Sequence, residues 1–180
     1  MSFLLLFNRA LKKVATTYRK AVFKRHIGCR HNDFSLVGKV TAINPNVILG
    51  HNVSIYPDCM FFGDGTIEIG DNVDIGNGTI IYASKIGGVT IGKNTMIAAG
   101  CYIIDTDHGI KAGQLIRDQK NTVAPVTIGE DVWLGSGCKV LKGSVVGNGA
   151  VVGAMGLVKG NLPDNSVSVG IPAKVLKYRE

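Results

Sequence analysis

One spacing governs this chain. Between residues 43 and 158, large aliphatic or aromatic side chains recur six residues apart in four runs. The first run is Ile43, Leu49, Ile55 and Phe61. The second is Ile69, Ile75 and Ile81, and the third Ile91, Ile97 and Ile103. The longest is Ile128, Leu134, Val140, Val146, Val152 and Val158. Two residues before such positions stands a small or β-branched residue, as at Val47, Val53, Val73, Val89, Val126 and Val132. Just after many of them come glycine, a polar residue, and then Asn, Asp or Gly: Gly50-His51-Asn52, Gly70-Asp71-Asn72, Gly92-Lys93-Asn94, Gly129-Glu130-Asp131 and Gly147-Asn148-Gly149. These residues tolerate tight turns and positive φ. A period of six does not suit an amphipathic helix, which needs 3.6. A six-residue unit with one inward aliphatic and one corner cannot bury itself alone. Stacked units can, as short strands coiling about a shared core. Sixteen such positions, at about 1.5–3 kcal/mol each when fully buried, make a substantial core without large aromatics.

The bulk properties agree. At 180 residues the chain is most simply one domain, with 46% hydrophobic but only 7% aromatic residues. The net charge of +7 is local. Residues 1–31 hold Arg9, Lys12, Lys13, Arg19, Lys20, Lys24, Arg25 and Arg30 with no acid, so the remainder is close to neutral. A basic body for nucleic acid is therefore not expected. Cys59, Cys101 and Cys138 share the small-residue offset and read as core fillers. With Cys29 they form no CxxC pair. The apolar run at 3–7 is too short for a membrane span, and no small-residue cleavage site follows it. The expectation is a cytoplasmic protein with reduced thiols.

The pattern [LIV]-G-x-x-x-x over residues 40–177 resembles the hexapeptide-repeat acyltransferases. The segment TIGEDVWLGSGCKVLKGSVVGNGAVVGAMGLV, residues 127–158, with VGIPAKVLK, residues 169–177, is similar to the sugar O-acetyltransferase branch. The resemblance implies a left-handed parallel β-helix with three hexapeptides per coil. With the helical stripe and the break in the repeat described below, the expected fold is all-β with an N-terminal α-helix and a protruding loop at about 105–124, divided into a basic helical segment, 1–30, and a β-helix acyltransferase domain, 31–180. The resemblance also implies a homotrimer, with acetyl-CoA as acyl donor in a groove between subunits. Ser136, Ala154, Lys159, Gly160, Lys174 and Lys177 align with cofactor contacts. Lys159-Gly160-Asn161 stands where relatives commonly carry Thr-Lys-Asp. Trp133 either packs at a coil or walls that groove.

The repeat slips twice by small amounts, around residues 63–66 and 83–88, and breaks for about twenty residues after Asp105. A long irregular loop inside a compact repeat domain is uncommon and often functional. This one carries Asp105, Asp107, His108, Arg117 and Asp118. His26, His31 and His51 show no ligand spacing with His108, so no metal site is expected. In the similar acetyltransferases the catalytic histidine stands on this loop, after a repeat like TIGKNTMIAAGCYI, residues 90–103. The resemblance thus gives His108 the role of general base. Imidazole suits that role at neutral pH, and a positioned base contributes roughly 10²–10⁴-fold. Asp105 and Asp107 are expected either to orient His108 or to bind the acceptor. A catalytic Cys101 near His108 is weighed against its core-filler offset.

The expected function is acetyl-CoA-dependent O-acetyl transfer to a hydroxyl of a sugar or polysaccharide precursor. The alternatives are transfer to serine or to an amino-sugar amine, and a β-helix that only scaffolds a complex. Residues 3–27 carry a helical stripe of Leu4, Phe7, Leu11, Val14, Tyr18 and Val22, with Ser2 as a candidate cap. Two readings stand: a helix covering the open end of the coil, and an interfacial helix drawn to anionic lipid.

Overall fold

The computed structural model describes residues 3–180, with side chains from residue 7 onward. The proposed cap Ser2 and the side chain of Leu4 lie outside the described residues. One helix, α1 (Phe3–His26), precedes a chain of short strands. Those strands form three parallel sheets, each strand pairing with its equivalent one coil earlier and one coil later. The first face runs from Phe34–Leu36 through Val53–Ile55, Asp74–Ile75, Met96–Ile97, Trp133–Leu134 and Val151–Val152 to Ser166–Gly170. The second runs from Thr41–Ala42 to Leu157–Val158, and the third from Val47–Leu49 to Asn161–Leu162. A last strand, Ala173–Tyr178, folds back antiparallel on Ser166–Gly170.

The six-residue period becomes a radial direction. Fifteen of the sixteen repeat positions are buried, Ile55, Phe61, Ile75, Ile103, Leu134, Val140 and Val152 completely. Ile43 differs, at 60% exposed. Ala42 is the residue paired with Phe61 and turned inward, so the first coil is out of step by one residue. Cys59, Cys101 and Cys138 are buried at the same offset. Each thiol donates to a carbonyl of the next coil: Cys59 to Gly76 (3.1 Å), Cys101 to Gly135 (3.3 Å) and Cys138 to Gly153 (3.2 Å). Thr79, at the equivalent position, donates its hydroxyl to Ala98 in the same way.

Corners are where sequence chemistry is most visible. Between the third and first faces, Asn52, Asn72, Asn94 and Asp131 all adopt φ of 53–60°. Asn and Asp accept this left-handed conformation better than other non-glycine residues. Their stacked amides hydrogen-bond from coil to coil: Asn52 donates to Asn72 and Asn72 to Asn94, both at 3.0 Å. Arg179 closes the top of this ladder, donating to Asp131 Oδ2 (3.0 Å) and the Gly149 carbonyl (2.8 Å).

All length variation falls at one corner, between the second and third faces. Seven residues separate the inward positions Ala42 and Leu49, eight Phe61 and Ile69, ten Ile81 and Ile91, and twenty-five Ile103 and Ile128. The spacing then drops to six between Val140 and Val146. The other two corners keep six throughout these coils. The two small slips and the large break are therefore stacked on successive coils.

Helix α1 covers the open end of the coil through its last turns only. Phe23 is buried against the rings of Phe34 (6.0 Å) and Phe61 (6.1 Å), and Ile27 is buried beside it. The stripe Phe7, Leu11, Val14, Tyr18 and Val22 is exposed instead. The residue that anchors the helix lies off the stripe read from the sequence.

Candidate active site

The large break begins at Asp105, the residue after the inward-facing coil strand. Its side chain is fully buried. Ser84 donates its backbone N–H to both carboxylate oxygens (3.0 and 2.8 Å) and its hydroxyl to Oδ2 (3.0 Å). Gly88 donates its N–H to Oδ2 at 2.7 Å. Burying a carboxylate is costly unless donors surround it, and here the donors come from the insertion one coil below. A side chain at Gly87 would put its Cβ 2.1 Å from Asp105 Oδ2, so the close approach requires glycine there. Asp105 thus fastens the base of one insertion to the next. No hydrogen bond joins it to His108; the partners of its carboxylate are Ser84 and Gly88.

Beyond Asp105 the chain leaves the coil as a two-rung antiparallel hairpin, Thr106–Asp107 against Thr122–Val123. Asp107 points outward and pairs with Lys142 (3.3 Å). Lys142 also donates to Thr122 Oγ1 at 2.6 Å, bridging both strands of the hairpin from the following coil. Sequence reasoning missed Lys142. Only the stacking of coils brings it here: Ile103 pairs with Val140, so Lys142 stands opposite Asp105.

The tip of the loop is organised by one side chain. Gln119 accepts from the Lys111 N–H (2.8 Å) and donates to the Lys111 and Gln114 carbonyls (both 3.0 Å). Gly109 passes so close that a Cβ would lie 2.7 Å from Gln119 Cβ. The loop is therefore a built structure, held at its base by Asp105 and Lys142 and at its tip by Gln119.

His108 stands between these two fixings, exposed, with no hydrogen-bond partner among the described residues. It borders two cavities. One, about 1010 Å³, lies within the loop and is bordered by the polar residues Lys111, Gln114, Asp118, Asn121 and Lys142 among others. The other, about 280 Å³, lies against the second face and is lined by Tyr102, Ile104, Leu141 and Asn121. Burial, and then the neighbouring Tyr82, push the Tyr102 phenol above its usual pKa, so it remains a donor at neutral pH.

The other site candidates divide between places. Lys159 and Gly160 sit at the same corner as the loop, just after the strand Leu157–Val158. Ser136 and Ala154 sit at the corner between the first and second faces, exposed on adjacent coils, where the Met155 N–H donates to the Ser136 carbonyl (2.8 Å). Lys174 and Lys177 lie exposed on the last strand. One chain thus brings Lys159 and Gly160 to the loop corner and leaves Ser136, Ala154, Lys174 and Lys177 elsewhere. Between those corners the second face presents Met60, Ile80, Tyr102 and Leu157 outward, all half-buried. Trp133 points outward on the first face, paired with Met96 and Val151, and stands at no corner.

Other clusters offer less. Among the described residues no group of three or more His, Cys, Asp or Glu could hold a metal ion. His31 and His51 stack at 4.5 Å, but both His31 nitrogens are engaged, on the Leu49 carbonyl and the Asp33 N–H. The Cys101 thiol is raised in pKa by its neighbour Cys138 and by burial, which opposes a nucleophilic role.

Comparisons with known proteins converge on the same architecture. The family model "Bacterial transferase hexapeptide (six repeats)" matches residues 125–160. "Hexapeptide repeat of succinyl-transferase" matches residues 41–83 and 84–104. WbbJ of Escherichia coli K12, named for O-acetyl transfer in lipopolysaccharide biosynthesis, is 38% identical over 64% of this chain and 62% of its own length. The chain therefore spans less than two thirds of that relative. A dTDP-4-amino-4,6-dideoxy-D-glucose acyltransferase of Escherichia coli is 32% identical over 74% of this chain and 72% of its own length. Among solved structures, the Bacillus cereus N-acyltransferase AntD, bound to dTDP and coenzyme A, superposes with a TM-score of 0.74 at 22% identity, covering 83% of each chain.

Proposed function

The chain belongs to the hexapeptide-repeat acyltransferase family, built on the left-handed parallel β-helix, and from that premise we propose that it transfers acetyl from acetyl-CoA to a hydroxyl of a sugar or polysaccharide precursor, with His108 as general base. One observation carries this reading. His108 is an exposed imidazole, held on a braced loop, at the meeting point of a larger cavity within the loop and a smaller one against the second face. The donors and acceptors that Lys111, Gln114, Asp118, Asn121 and Lys142 bring to the larger cavity suit the hydroxyls of a sugar. The shelf of Tyr102, Ile104 and Leu141 suits an acyl-thioester arm.

An alcohol is a poor nucleophile until its proton is removed. His108 takes that proton as the acceptor oxygen bonds to the acetyl carbon. The carbon–sulfur bond of the thioester then breaks. The departing sulfur takes up a proton, which the imidazolium can return, so the base is regenerated. Lys142 holds Asp107 and Thr122, and through the hairpin keeps His108 in place between the two ligands.

Ser136 and Ala154 enter this scheme only if another copy supplies them. Their small exposed side chains leave room for a pantetheine arm, and Lys174 and Lys177 carry charge that suits its phosphates. The half-buried apolar residues of the second face favour a neighbour packed there. A homotrimer with sites between subunits satisfies both requirements, and light scattering reads its mass directly.

A second reading has its own support. The relative at 32% identity is named for acylation of an amino sugar, so an amine acceptor stands beside the hydroxyl. The test is coenzyme A release, followed by free-thiol detection, across a panel of sugars and amino sugars. Wild-type turnover and a loss of about 10²–10⁴-fold in kcat for His108→Ala are expected. Turnover indifferent to His108→Ala would overturn the base assignment, and a preference for amines would select the second reading.

A further inference from the structure

Helix α1 carries two apolar surfaces, and the coil uses only one. Phe23 is buried on Phe34 and Phe61 at the open end. At 100° per residue, Phe23 lies roughly 140° around the axis from Tyr18. On that other side Leu11, Val14, Tyr18 and Val22 are 52%, 67%, 70% and 50% exposed. Their spacings of three, four and four residues form one continuous stripe. Lys12 and Arg19 lie along one flank of it, Lys13 lies behind, and Arg25 stands at its end.

The neighbouring cations separate into two sets. Lys20 is fixed to the coil, donating to the Asn32 and Phe34 carbonyls, and Lys24 donates to Asn32 Oδ1 at 2.6 Å. Among the described residues Lys12, Lys13, Arg19 and Arg25 make no such contact. No acid occurs among residues 1–31 to neutralise them. Among the described residues no helix is long and apolar enough to cross a membrane. A surface that is apolar along one side and cationic along one flank and at its end matches the boundary of an anionic bilayer.

We infer that helix α1 is an interfacial anchor, which lays Leu11, Val14, Tyr18 and Val22 into an anionic lipid surface while Phe23 and Ile27 hold it to the coil. A second copy is a poorer occupant. It would set Lys12, Lys13, Arg19 and Arg25 against the same four cations of the other copy, with no acid in either helix between them. The inference is independent of the acyl-transfer chemistry.

The full chain is sedimented with vesicles of phosphatidylcholine, with and without about 30% phosphatidylglycerol. Binding should be at least about tenfold stronger to the anionic vesicles and should fall as salt is raised. Leu11→Gln with Tyr18→Gln should weaken it by about tenfold or more. Lys12→Glu with Lys13→Glu and Arg19→Glu should weaken it by about fivefold per cation. All these side chains are exposed, so unchanged helical circular dichroism confirms that each variant folds. Absence of binding, equal binding to both vesicle types, or undiminished binding by the stripe variant overturns the inference. A stripe variant that lowers the oligomer's mass without lipid assigns the surface to a contact between copies, and overturns it too.

Discussion

Replacing Asp105 by Asn tests whether the loop's base is clamped as described. The carboxylate is fully buried and serves three donors: the Ser84 N–H, the Ser84 hydroxyl and the Gly88 N–H. Asn keeps the shape but turns one acceptor into a donor. With its carbonyl at the Oδ2 position, Asn can still accept from the Ser84 N–H, the Ser84 hydroxyl and the Gly88 N–H. Its NH₂ then takes the place of Oδ1, 3.0 Å from the Ser84 N–H, a buried donor set against a donor. An unsatisfied buried donor costs about 1–3 kcal/mol, and losing the charge weakens the remaining bonds, so about 2–4 kcal/mol of destabilisation is expected. For a chain of this size that is a fall of roughly 4–16 °C in Tm. Calorimetry reads the fall, and hydrogen exchange localises it: the Ser84 and Gly88 amides should exchange faster, and those of the asparagine ladder should not. Asp105→Ala, which removes every acceptor, should be worse. A variant that melts within about 2 °C of wild type with unchanged exchange at Ser84 and Gly88 would refute the clamp.

Lys142→Met removes the tie to Asp107 and Thr122 while keeping the stem of the side chain. The ion pair is partly exposed, so stability should drop by only about 0.5–1 kcal/mol. Turnover should suffer more, read as a fall in kcat/KM measured with wild type in parallel. Burial raises the Cys59 thiol. A raised pKa means the folded chain holds this proton more tightly than the unfolded one. The stabilisation is complete below the unfolded thiol pKa, about 8.5, and is lost as pH rises beyond it. Cys59→Ala should therefore flatten the alkaline fall of urea stability above about pH 9. A slope equal to wild type would show that this thiol does not contribute to that fall.

The fold was legible because burial in a stacked coil depends on one spacing that survives in sequence. Ile55, Ile75, Leu134 and Val152 point inward for the same local reason, repeated at each coil. Ile43 was misread where that reason weakens. The first coil has no complete neighbour below it, and a one-residue slip leaves Ala42 in the inward place. The partners of Asp105 were not legible, because they come from a different insertion about twenty residues earlier. That contact exists only once the coils are stacked. Asp107 and Lys142 are far apart in sequence for the same reason. The helix showed a further limit. A stripe at helical spacing announces an apolar face but does not say which neighbour it meets, and the structure anchors Phe23 from the opposite side.

Confinement of every insertion to one corner also bears on how the molecule assembles. Paired strands on neighbouring coils lie close in sequence: Phe34 with Val53, Asp74 with Met96, Trp133 with Val151. Only the pairs that span the large loop, Val89 with Val126, Met96 with Trp133 and Tyr102 with Lys139, must wait for a much longer stretch of chain, thirty-seven residues, to return. Doubling a closure length costs only about 0.6 kcal/mol, less than one buried aliphatic residue restores. The rod can therefore lengthen or shorten this single excursion without losing its ability to wind. The coils below and above the seam can form as separate local units that zip together there. Diversity in what the loop holds is thus nearly free of consequence for folding, provided that the Asp105 fastening at its foot is kept.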